Sequence, residues 1–206
     1  MKFWTSFDTE ADWDYVFVEA RTAEGNDWTT LPDENGHTTQ DTGDSCPEGW
    51  RELHPHLDHY QTLNADNTCS PTGSSGEWNA ASGNSGGWQE WSVDLSEWSG
   101  ETVEVSIAYA SDWATQNLGA FVDDVTLPDG TTTSFETDLG GWQIAGPPEG
   151  SGPNSNNWIL TDAAGFPVGA SITTPNSLLL GFGLEGVSGA DDRAAVMGRA
   201  LEHLLD

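Results

Sequence analysis

The chain has 206 residues, 35% of them hydrophobic, with 24 Gly and 11 Trp. That composition suits a core of large aromatics on short, turn-linked strands. Asp and Glu number 34 against 5 Lys and Arg, a formal charge of −29, so nucleic-acid phosphates and anionic lipid are repelled and drop out as partners.

In chain order, Phe3, Trp4 and Phe7 open a strand that runs into DTEADWD. No export signal stands ahead of KFWTSF, and no apolar run is long enough to cross a membrane. The abrupt start predicts a piece of a longer exported protein. Residues 15–20 (YVFVEA) form a second strand, with Val16 and Val18 on one face and Tyr15 and Phe17 on the other. A Gly25-Asn26 turn and Trp28 predict a hairpin return.

From residue 31 to 86 the composition shifts to Pro, Gly, Asp and Thr, with one short helical turn around 52–60. A loop this long in a compact domain is stapled, functional or both. Cys46 and Cys69 both fall inside it, and their pairing would staple it in an oxidising compartment.

Strand alternation resumes at Trp91, Val93 and Leu95, and again at Val103, Val105, Ile107 and Tyr109. In the strand from 119 to 127, Phe121, Val125 and Leu127 share one face by the period of two, and Asp123 falls on it. A carboxylate among inward-facing apolar groups is unfavourable unless a cation or several donors meet it. TTTSFE adds a short strand, and 138–157 is mostly turn formers. The close is a predicted helix over 190–204, with Ser188 and Asp191 at capping-box spacing and Ala190, Ala194, Met197 and Leu201 on one face. The pattern is all-β and antiparallel over 1–145, interrupted by the 31–86 insertion, with a loop-rich extension over 146–206 that ends in the helix.

No HExxH and no GxSxG occurs. LGFGLEG spells G-x-G-x-x-G with Gly181, Gly183 and Gly186 but lacks the acidic partner of a dinucleotide site. His54, His56 and His59 in HPHLDH invite a zinc reading, with Asp58 beside them. Pro55 breaks a regular helix there, and the favoured reading is a loop whose histidines cap or hydrogen-bond.

DTEADWDYVFVEARTAEGNDWTTL, GGWQEWSVDLSEWSGETVEVSIAYASDW and GAFVDDVTL together resemble the accessory β-sandwich of secreted bacterial metallopeptidases. These are the immune inhibitor A-type proteases and actinobacterial zinc carboxypeptidases, and the sandwich is related in pattern to MAM and choice-of-anchor J domains. The resemblance spans about residues 3–145. It implies a jelly-roll-type antiparallel β-sandwich, a secreted protein, and a peptidase domain covalently linked in a longer parent chain. Jelly-roll domains of this kind often hold a structural calcium where the first and last strands meet. Asp123 and Asp124, with Glu136, Asp12 and Asp14, are the candidate ligands, since calcium takes six to eight oxygens. The competing reading has Asp123 satisfied by backbone amides or a Trp N–H.

The tryptophans offer a second function. Trp13, Trp88, Trp98 and Trp113 fall at strand ends or in loops, where a platform for stacking sugars would be built, although many indoles close the ends of a sandwich core instead. Two functions are therefore expected: a non-catalytic accessory module that stabilises or positions a metallopeptidase or its substrate, or an extracellular glycan-binding module.

Overall fold

The computed structural model describes residues 1–115, 117–153 and 157–161, and the backbone of 171–174 and 177–180. The predicted 190–204 helix lies outside the described residues. The chain divides into two units, Met1–Leu160 and Thr161–Asp206.

The first unit is built from antiparallel strands: β1 (Lys2–Asp8), β2 (Tyr15–Thr22), β3 (Thr29–Leu31), β4 (Thr62–Leu63), β5 (Cys69–Ser70), β6 (Gln89–Ser92), β7 (Val103–Ala110), β8 (Gly119–Thr126) and β9 (Thr132–Thr133). One sheet has the order β6-β1-β8-β9 and another β3-β2-β7, while β4 and β5 pair alone. In the second unit β10 (Ser171–Thr174) and β11 (Ser177–Leu180) form an antiparallel hairpin. The described residues are mostly β and antiparallel, consistent with the all-β expectation.

The two larger sheets contribute inward faces to one core. Phe3 and Phe7 of β1, Trp91 of β6 and Val125 of β8 meet Val16, Val18 and Ala20 of β2 and Leu31 of β3. Trp91 packs tilted on Phe3 at 5.6 Å and edge-on to Phe7 at 6.3 Å, geometries that the ring quadrupoles favour.

Strand β8 departs from the alternation read off the sequence. Between β1 and β8 the register runs Trp4↔Asp123 and then Lys2↔Thr126, so three steps on β8 oppose two on β1. The extra residue is a bulge at Asp124, whose φ of 49° lies in the left-handed region. Upstream of it Ala120 and Val122 face the core, and downstream Val125 and Leu127 do. Asp123 is paired with the half-exposed Trp4 and therefore stands on the outer face of the sheet. The expectation that Asp123 shares an inward face with Val125 is corrected, because a bulge moves every side chain beyond it to the opposite face.

Strand β2 is buried on both sides. Val16, Val18 and Ala20 enter the shared core, while Tyr15 and Phe17 meet a second aromatic cluster of Trp50, Leu57, Tyr60, Trp78 and Ala80. That cluster comes from the insertion, which is folded against the sheet. Cys46 and Cys69 are joined, as expected. The expected turn resolves into short helical turns, Arg51–Leu53 and Pro55–His59, with Pro55 opening the second. Trp78 contacts Tyr15, Phe17, Trp50 and Tyr60, with ring centroids 5.1 to 6.3 Å away. The 73–76 loop closes on this block so tightly that a Cβ at Gly73 would collide with the His59 backbone. A fully buried side chain of this size contributes about 1.5–3 kcal/mol, so the insertion is held by packing as well as by its disulfide.

Candidate functional site

Phe3, Thr5 and Phe7 point inward, so the alternation of β1 sends Lys2 and Trp4 outward. On the outer face the two partners of Trp4 are both acidic, Glu90 on β6 and Asp123 on β8. Trp88, just ahead of β6, joins Trp4, Asp123 and Asp124 around a shallow groove of about 240 Å³. The two indoles are 40% and 54% exposed. Large aromatics left in water as a pair around one hollow mark a contact surface more often than packing.

The charges of this groove are unbalanced. Lys2 pairs with Glu90 at 3.2 Å, Arg21 with Glu104, and Arg51 with Asp58. These are the Lys and Arg side chains among the described residues, and none is paired with Asp123 or Asp124. Asp123 Oδ1 accepts the Asp124 backbone N–H at 2.8 Å, a bond that braces the bulge. Asp123 and Asp124 thus line the groove beside Trp4, while the Lys2 ammonium is engaged by Glu90.

A second polar group is buried beneath the insertion. Glu19 follows Tyr15 and Phe17 on the outer, aromatic face of β2 and is only 6% exposed. Its Oε2 accepts the Tyr60 hydroxyl at 2.6 Å and lies 3.1 Å from His56 Nε2. His59, whose ring centroid is 5.0 Å from that of His56, places Nδ1 2.6 Å from Ser75 Oγ. His54 Nε2 lies 2.7 Å from the Ser111 carbonyl, and burial pushes its pKa down. The histidines of HPHLDH therefore serve as hydrogen-bonding groups, each with its own partner. Glu19, Tyr60 and His56 form a lock between strand and insertion rather than an open site.

The proposed calcium ligands fall in three places. Asp123 and Asp124 line the Trp groove, and Glu136 lines a separate hollow together with Thr133, Phe135 and Asp138. Asp12 and Asp14 lie in the β1–β2 connection. Asp12 is exposed, with φ 67°, and its N–H donates to Ser82 Oγ. Asp14 is fully buried: Oδ1 accepts the Asp112 N–H at 3.0 Å, and Oδ2 accepts the Tyr109 hydroxyl at 2.8 Å. Desolvation raises its pKa. Glu10 is also raised, by desolvation first and then by the charges of Asp112 and Asp14. Among the described residues no three His, Cys, Asp or Glu side chains are gathered as a metal-ligand set. The five carboxylates thus lie in three separate parts of the described structure.

Of the expected platform, Trp88 takes part in the groove and Trp113 is exposed apart from it, while Trp98 packs on the core and Trp13 is half-buried. Trp78 is fully buried. Trp4 and Glu19 are not among the residues that the motifs point to. Both carried a signal, Trp4 as the outward aromatic between Phe3 and Thr5, and Glu19 as the acidic residue in step with Tyr15 and Phe17. Comparison with protein-family models, with curated proteins and with solved structures yields no match.

Proposed function

We propose that the chain is a non-catalytic glycan-binding module of a secreted protein, acting through the groove between Trp4 and Trp88. The observation that carries the reading is the pair of half-exposed indoles around one hollow beside Asp123 and Asp124. Sugar rings offer apolar C–H faces to indoles and hydroxyls to carboxylates, so stacking supplies affinity and the carboxylates supply orientation. The Cys46–Cys69 bridge supports an extracellular setting, where such bonds persist.

In this reading the shared core belongs to a jelly-roll sandwich, and the outer face of its β6-β1-β8-β9 sheet is the working surface. The resemblance to metallopeptidase accessory sandwiches supplies a place for it: linked in one chain to a catalytic domain, which it would hold near a polymer. The test is tryptophan fluorescence titration with soluble oligosaccharides, neutral and amino-substituted, for the wild type and Trp88→Ala. Saturable quenching that Trp88→Ala removes is expected. A flat signal with every sugar sinks the proposal.

A further inference from the structure

We infer that the groove is built for a cationic amino-sugar polymer, one whose hexosamine units carry free, protonated amines; this rests on the glycan reading above. The inference follows from what surrounds Trp4. Its neighbours across both strand pairs are Glu90 and Asp123, and Asp124 completes the rim of the hollow. Lys2 is held by Glu90, which leaves Asp123 and Asp124 facing the groove without a cationic partner among the described residues. A neutral sugar would satisfy carboxylates only through hydroxyl hydrogen bonds. An ammonium in the same position gains the charge of the two aspartates and the negative face of the indoles together.

The site also opposes other polymers. Uronic-acid and sulfated chains would bring anions against Asp123, Asp124 and a surface at −29. N-acetylation removes the positive charge and adds a bulky group where the carboxylates need an ammonium. The bulge supports the specificity, because the Asp124 backbone N–H, at a residue with φ 49°, donates to Asp123 Oδ1 and fixes that carboxylate at the rim that Asp124 also lines.

The experiment is a fluorescence titration of the full chain with a glucosamine hexamer, its N-acetylated counterpart and a glucose hexamer. It is run at mildly acidic pH, where the free amines are protonated, and repeated at alkaline pH. The expected result is about a tenfold preference for the glucosamine hexamer at acidic pH, lost at alkaline pH. In Asp123→Asn/Asp124→Asn the preference should shrink to near parity; Asn also tolerates the left-handed backbone at 124. Equal binding of all three hexamers in the wild type overturns the cationic inference and leaves the glycan reading standing. A preference that survives the double substitution overturns it as well, since it then comes from the overall charge. Quenching by a lysine hexamer as strong as that by glucosamine, insensitive to Trp88→Ala, also counts against it. Silence with every sugar removes both proposals.

Discussion

The Tyr60 hydroxyl donates to the Glu19 carboxylate at 2.6 Å, joining the insertion to the centre of β2 through a bond with both partners buried. His56 is the remaining polar neighbour of that oxygen. Replacing Tyr60 with Phe leaves a buried carboxylate with one donor, and the expected loss is about 1–3 kcal/mol. Urea unfolding of Tyr60→Phe measures it. A midpoint equal to the wild type would mean that the bond contributes nothing to holding the insertion.

Strands β1, β2 and β7, and the two faces of β2 and β7, were legible because period-two alternation is a local signal. The face of Asp123 was not, since the bulge at Asp124 is set by a backbone angle that alternation does not encode. Glu19, rather than Asp123, is the acid in step with inward apolar neighbours. The aromatic block of the insertion escaped notice for another reason. Trp50, Leu57, Tyr60 and Trp78 are widely and irregularly spaced among turn formers, so no window reveals a shared face. The groove was half visible: Trp88 stood out, but its companion Trp4 is brought to it by the β1–β6 pairing, from the other side of the 31–86 insertion.

His54 gives the fold a dependence on pH. Burial places its folded pKa below 6.5, so the unfolded chain binds the extra proton more readily. Its contribution is present above pH 6.5 and is lost as pH falls toward the folded value. His59 is lowered as well, chiefly by desolvation, and acts in the same direction. Unfolding followed across mildly acidic pH should show stability falling as acid is added, less steeply in His54→Gln. An unchanged slope in that variant would assign the effect to other groups.

Reduction of Cys46–Cys69 opens a loop spanning 23 positions. The chain-entropy account gives about 3 kcal/mol for a loop of this length. With reductant present the urea midpoint should fall, and protease nicks should appear between residues 31 and 86 before the sheets are cut. Nicking unaltered by reductant would show that the aromatic block alone holds the insertion closed.

Asp124 occupies the left-handed region, where a β-branched residue is strained and glycine is not. Asp124→Gly should leave stability within about 0.5 kcal/mol of the wild type or above it, whereas Asp124→Val should lose about 1–2 kcal/mol. Thermal melts of the pair decide it. Equal midpoints would argue against a bulge at this position.

The double burial of β2 bears on how this protein can be taken apart. Val16, Val18 and Ala20 serve one core and Tyr15, Phe17 and Glu19 the other, so the strand is a party wall with tenants on both sides. Trimming residues 31–86 to obtain a minimal pair of sheets would leave Tyr15, Phe17 and a bare carboxylate in water, a sticky surface on a protein of formal charge −29. Any shortened version therefore has to keep the insertion or redesign that face of β2, and a splice that joins Leu31 directly to the segment ahead of β6 should yield aggregates rather than a smaller domain.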